Sequence, residues 1–186
     1  MGSEISVDER LLIQQAKSDP AHFRVLYDLY FEEILRFIVR RVGEVEQAKD
    51  LSQQVFLKAL LGLKTYVYKD IPFSSYLYRI AANECHQYFR DSTKVRFVTM
   101  DVEIQASLFS ELEQESNSRE SDLTLLKKAL DGVSDQELLL IELRFFEKRG
   151  FKEIGFILNV TENLAKVRTY RLLKKLKSVI ENSHEK

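Results

Sequence analysis

Residues Phe151–Lys177 read FKEIGFILNVTENLAKVRTYRLLKKLK, and few folds accommodate that run. Phe151–Leu158 is a short, mostly apolar segment with helical spacing. The turn Asn159-Val160-Thr161 follows. The next stretch carries Lys166, Arg168, Arg171, Lys174, Lys175 and Lys177 against one acid, Glu162. Asn tolerates left-handed backbone at a helix end, and Thr is a good N-cap for a helix that follows. Apolar helix, tight turn and basic helix make the layout of a helix-turn-helix, whose second helix enters the major groove of DNA. A solvated basic face on an ordinary amphipathic helix would explain the charges alone. It does not explain why the turn, the cap and the charge coincide.

Everything else that is periodic is also helical, and no strand pattern stands out. Ser6-Val7-Asp8-Glu9 fits a capping box that opens a first helix. Asp19-Pro20 supplies an N-cap and a first-turn proline for a second. That second helix places Phe23, Leu26, Tyr30, Ile34, Phe37 and Ile38 on one stripe and is interrupted at Gly43. Ala48, Leu51, Val55 and Ala59 have helical spacing in a third. Tyr66–Pro72 reads as a loop, because Pro72 disfavours helix at Ile71. A fourth helix is expected from Phe73 to Phe89. Between Ser110 and Ser121 the chain turns polar and acidic, with four serines, as a flexible linker does. A second helical unit is expected to begin near Asp122. In it Ser134-Asp135-Gln136-Glu137 is another capping box, ahead of Leu138, Ile141 and Phe145. The expected fold is all-α: two small helical domains, 1–95 and 121–186, joined by an acidic linker at 96–120, the second domain a helix-turn-helix.

The net charge of −1 conceals an uneven distribution. Residues 1–95 carry 13 basic and 13 acidic side chains, residues 96–120 carry 2 and 6, and residues 121–186 carry 13 and 10. The last segment is the candidate for phosphate contact. The modest total argues against strong solitary binding to DNA. The single Cys85 excludes a disulfide framework and a cysteine metal site. His22, His86 and His184 have no ligand spacing. There is no glycine-rich phosphate loop and no nucleophile–base pattern, so neither an enzyme nor a cofactor is expected. No apolar run reaches membrane-spanning length, so membrane insertion is not expected and a cytoplasmic location is.

Three runs in the first half carry a more specific signal: Phe23-Arg24-Val25-Leu26-Tyr27, then Ala48-Lys49-Asp50-Leu51-Ser52-Gln53-Gln54-Val55-Phe56, then Phe73-Ser74-Ser75-Tyr76-Leu77-Tyr78-Arg79-Ile80-Ala81-Ala82-Asn83. In the second half Glu153-Ile154-Gly155, Val160-Thr161-Glu162 and Lys166-Val167-Arg168 join them. In this order the chain resembles the extracytoplasmic-function sigma factors of bacterial RNA polymerase over nearly its whole length apart from the linker. Four positions depart from the pattern. Tyr76 stands where tryptophan is usual, Gly155 where alanine is, Gly150 where a serine cap is common, and Asn159 where glycine is. Gly155 should cost its helix about 1 kcal/mol unless it permits close packing.

The resemblance implies a sigma factor that binds core RNA polymerase, recognises the −10 and −35 promoter elements and directs initiation. It implies promoter DNA and an anti-sigma factor as further partners. Asp50, Gln53, Gln54 and Phe56 match the run that binds the polymerase clamp. The loop Tyr66–Pro72 and the helix after it match the −10 region. There Tyr66 and Tyr68 are expected as exposed aromatics able to stack unpaired bases, with Lys69 near the backbone. Asn83 offers an amide to a base edge, and Arg79, Arg90, Lys94 and Arg96 could neutralise phosphates. Phe73, Tyr76 and Tyr78 are expected in the core. Glu162, Asn163 and Lys166 occupy the first turns of the recognition helix, Arg168 and Arg171 read bases or hold phosphates, and Ala165, Leu172, Leu173 and Leu176 pack inward. Two other classes fit parts of the chain: a sigma-like decoy that binds only an anti-sigma factor, and an autonomous helix-turn-helix regulator.

Overall fold

The computed structural model describes residues 8–91, 129–130 and 132–184. The linker at 96–120, Lys94, Arg96 and the helix expected near Asp122 lie outside them, as do Ser6 and Val7. All regular structure among the described residues is helical. The chain divides into two compact units, Met1–Thr99 and Met100–Lys186.

In the first unit, α1 (Glu9–Ser18) is capped by Asp8, whose carboxylate accepts from the backbone N–H groups of Arg10 and Leu11. The cap is therefore Asp8 and not Ser6, which leaves Glu9 available for a longer-range role. Its carboxylate accepts the hydroxyl of Tyr30 and, at 3.1 Å, the backbone N–H of Phe73. An acid from the first turn of α1 thus satisfies an orphan donor at the start of α4 (Phe73–Asp91), sixty-four residues away. Asp19 caps a short 3-10 turn, Pro20–His22, that leads into α2 (Phe23–Val42). Gly43 closes α2 in the left-handed region with φ 78°, which glycine adopts without steric cost. Of the expected α2 stripe, Phe23, Leu26, Ile34, Phe37 and Ile38 are buried and Tyr30 is partly so.

α3 (Val45–Gly62) packs Ala48, Leu51, Val55, Phe56 and Ala59 inward. Its buried Ser52 donates to the carbonyl of Ala48 at 2.7 Å, so the hydroxyl is satisfied within the helix. Lys58 on α3 reaches Glu84 on α4 at 2.6 Å, and the Glu84 side chain is 10% exposed. That pair fixes the register of α3 on α4 with a partly desolvated charge contact.

In the second unit the capping box at Ser134 is present. The Ser134 N–H donates to the Glu137 carboxylate at 2.8 Å, and the Glu137 N–H donates to the Ser134 hydroxyl at 3.2 Å. It opens α5 (Asp135–Ile141), which runs into one π-helical turn, Glu142–Phe146. The chain leaves that turn through Lys148 at φ 53°. α6 (Phe151–Leu158) and α7 (Glu162–His184) complete the unit.

Candidate nucleic-acid and polymerase interface

The α6–turn–α7 segment is the helix-turn-helix that its sequence implies. Asn159 takes the left-handed conformation at φ 55° and ψ 45°. The Val160 N–H donates back to the Gly155 carbonyl at 2.8 Å, closing α6. The Thr161 hydroxyl accepts the Leu164 N–H at 3.2 Å, capping α7. Gly155 accounts for how tightly the turn is wound. A Cβ there would lie 2.9 Å from the Val160 carbonyl oxygen and 3.1 Å from the Glu162 backbone nitrogen. The close packing that could excuse a mid-helix glycine is therefore present.

α7 buries Ala165, Thr169, Leu172, Leu173, Leu176 and Ile180. The Thr169 hydroxyl donates to the Ala165 carbonyl at 2.9 Å, so the one polar member of the stripe is satisfied. Glu162, Asn163, Lys166, Arg168 and Arg171 are all exposed, as a groove-reading helix needs. Lys175 reaches the carboxylate of Glu137 at 3.3 Å and so ties α7 to the start of α5. Glu137 is held below the usual carboxylate range, first by the backbone N–H of Ser134 and then by the Ser134 hydroxyl and the Lys175 ammonium. At the other side of the motif, Arg144 lies 4.7 Å over the ring of Phe151, whose centroid is 6.2 Å from that of Tyr170.

On α3, Asp50, Gln53 and Gln54 are exposed on one side. Phe56 is not with them. It is 2% exposed, and its ring meets Tyr27 at 4.8 Å, Phe31 at 6.0 Å and Phe23 at 6.4 Å. Phe56 follows Val55 on the helix and extends the buried stripe by one position toward α2, so it cannot be a surface contact. Toward the C-terminal half of α3 the exposed apolar residues are instead Leu57 and Leu61, at 56% and 72%. Asp50, Gln54, Leu57 and Leu61 follow one another at spacings of four, three and four, which makes a continuous outward stripe. The spacing of the buried set contained that signal, since Leu57 lies two residues from both Val55 and Ala59.

The loop before α4 departs from expectation at one residue. Tyr66 is 7% exposed and packs inside an aromatic cluster, tilted against Tyr76 with centroids 4.7 Å apart and edge-to-face with Phe73 at 5.4 Å. Lys17 anchors this point by donating to the Tyr66 carbonyl at 2.5 Å. Burial, and then the charge of Glu9, pushes the Tyr66 hydroxyl up to about 12. The Tyr76 hydroxyl is also raised, first by burial, with Arg79 opposing. Tyr66 is thus a wall of the core and not an exposed stacking platform. The chain runs outward through Val67, 68% exposed, to a partly exposed Tyr68 and an exposed Lys69. Asp70 turns it back at φ 53°, and Ile71 is buried again. Beyond the loop, Phe73 and Tyr78 are fully buried and Tyr76 partly so. On α4, Arg79 is partly exposed, while Asn83, His86, Gln87 and Arg90 are exposed on its outer side.

Residues 26–95 match the family described as Sigma-70 region 2, and residues 129–178 match Sigma-70, region 4. The chain is a member of the extracytoplasmic-function group of sigma-70 factors. This sigma factor is 28% identical over 162 residues to the RNA polymerase sigma factor YlaC of Bacillus subtilis, covering 86% of this chain and 92% of that protein. It is 27% identical over 181 residues to the ECF RNA polymerase sigma factor SigW of the same organism, covering 90% and 93%. The ECF RNA polymerase sigma factor BldN of Streptomyces coelicolor is 27% identical over 166 residues. That match covers 89% of this chain but only 63% of BldN. The family consists of transcription initiation factors. No described helix is long and apolar enough to cross a membrane, and no group of three or more His, Cys, Asp or Glu among the described residues could hold a metal ion.

Proposed function

We propose that this sigma factor binds core RNA polymerase, recognises the −10 and −35 promoter elements and so directs transcription initiation without chemistry of its own. The observation that carries the reading is the presence in one chain, in order, of a region 2 unit and a region 4 unit whose last helix offers exposed Lys166, Arg168 and Arg171. In this reading the outward stripe of α3, with Asp50, Gln53, Gln54, Leu57 and Leu61, meets polymerase. Apolar Leu57 and Leu61 supply the desolvated centre that a protein interface needs, and the polar residues supply direction. Tyr68, Val67 and Lys69 line the tip of the loop, where unpaired bases of the −10 element would be held. Asn83 and Arg79 act from α4. α7 reads the −35 element. The first domain spans 1–95, the linker 96–120 and the helix-turn-helix domain 121–186. An anti-sigma factor and a cytoplasmic location follow from the family resemblance.

Run-off transcription with purified core polymerase on genomic fragments tests this. Initiation from discrete start sites only when the chain is added is the expected result. Sequence-specific DNA binding by the chain without polymerase, and no initiation with it, would instead make it an autonomous regulator.

A further inference from the structure

Two aliphatic side chains interrupt the cationic outer side of α7. An α-helix advances about 100° per residue. Val167 lies two residues from both Ala165 and Thr169 of the buried stripe, so it points away from the core. Leu164 is one turn before it, on the neighbouring row. Leu164 is 38% exposed and Val167 partly exposed, while Asn163, Lys166, Arg168 and Arg171 around them are all exposed. Leu164 and Val167 both lie off the buried stripe, and valine is a poorer helix former than the long polar residues beside it. Valine is also stiff at χ1 and reaches only a short distance, so it cannot serve as a flexible phosphate contact.

The major groove presents one apolar group, the C5-methyl of thymine. We propose that Leu164 and Val167 form an apolar reading spot for thymine methyl groups within the element that α7 contacts. This rests on the assignment of α7 as the recognition helix. Arg168 and Arg171 beside the spot hold phosphates and bring the helix close enough for van der Waals contact. The spot excludes water from the methyl; a cytosine there would offer only C5–H to it, beside an amino donor for which neither side chain is an acceptor.

The test uses holoenzyme reconstituted from the full chain and core polymerase. A −35 duplex is first selected from randomised DNA. Each thymine in it is then replaced by deoxyuridine, which lacks only the methyl group. At one or two positions uracil should weaken binding roughly fourfold, the worth of one buried methyl. That loss should vanish in Val167→Ala or Leu164→Ala and persist in Lys166→Ala. Because both side chains lie off the core, the variants should keep the parent's circular dichroism and melting temperature. A selected element with no uracil-sensitive thymine would overturn the proposal while leaving the recognition helix in place. So would an undiminished uracil penalty in both Val167→Ala and Leu164→Ala, or a spot that binds protein and not DNA. If selection yields no −35 preference and Lys166→Ala changes nothing, the recognition-helix reading fails, and this proposal fails with it.

Discussion

Single side chains show how burial divides residues of similar chemistry. Tyr66 and Tyr68 are two positions apart in one loop, yet one forms core and the other faces outward. The Tyr66 hydroxyl is buried without a hydrogen-bond partner. Removing such a group relieves a desolvation cost, so Tyr66→Phe should be neutral or stabilising by up to about 1 kcal/mol in urea unfolding at pH 7. Its raised ionisation sets the alkaline behaviour. The folded state prefers the neutral phenol, so the parent keeps this contribution below the ordinary tyrosine value of 10.0 and loses it as pH rises toward about 12. Tyr66→Phe should be more resistant to alkali in that window. A steeper alkaline loss in the variant would contradict the buried placement. Tyr68→Ala, by contrast, should change stability by less than about 0.5 kcal/mol, as surface substitutions usually do. If Tyr68 stacks an unpaired base, the same change should reduce permanganate reactivity of the melted −10 region more than it reduces closed-complex binding.

At the scale of elements, the turn between α6 and α7 and the start of α5 make opposite demands on the backbone. Helix propensity alone says that Gly155→Ala should gain about 1 kcal/mol. The added Cβ would meet the Val160 carbonyl at 2.9 Å, a backbone atom that cannot rotate away. The variant should therefore unfold at lower urea than the parent, and a higher midpoint would show that the turn can relax. Glu137→Ala removes one half of the capping box and the partner of Lys175. A lost cap costs about 1 kcal/mol. The Glu137 carboxyl ionises below the ordinary value of 4.5, so its contribution is present above that value and is lost as pH falls through the lower, folded one. The stability gap between parent and variant should be full at pH 7 and shrink below pH 4.5. A gap that widened in acid would reverse the assignment. Along α7 two lysines separate by role. Lys166→Ala should cost about 1–3 kcal/mol and relax preference at one base pair. Lys175→Ala should weaken all sequences alike and lower the salt slope by roughly one. Selections on randomised −35 DNA at several salt concentrations distinguish the two.

For the molecule as a whole, charge and surface divide the work between the units. The first unit has no excess of basic residues for DNA, but α3 exposes an apolar stripe beside carboxylate and amides. The second carries the basic helix. With α3 engaging polymerase and α7 the DNA, specific promoter binding should therefore require polymerase. Asp50→Ala combined with Gln53→Ala should weaken polymerase pull-down and leave helicity intact. Adding Leu57→Ser should weaken it further, since the apolar centre of an interface carries most of its affinity. Unchanged capture of the triple variant would remove α3 from the polymerase interface.

Local rules made the main helices, the caps at Ser134 and Thr161 and the helix-turn-helix legible in the sequence, although the cap of α1 is Asp8 where a box at Ser6 is expected. Period-3.6 stripes mark α2, α3 and α7, Ser134 and Thr161 cap where a short polar oxygen can reach a nearby N–H, and Asn159 turns where left-handed backbone is needed. What lies farther apart in the chain was decided only by the tertiary structure. Glu9 caps α4 across sixty-four residues, and nothing near either end marks the other. Tyr66 is in the core because Phe73 and Tyr76 offer it ring faces, and Phe56 is buried because α2 presents Phe23, Tyr27 and Phe31 to it. A ring carries the same hydrophobic gain whether a core or a partner covers it. Which of the two does so depends on the neighbours that the fold brings alongside.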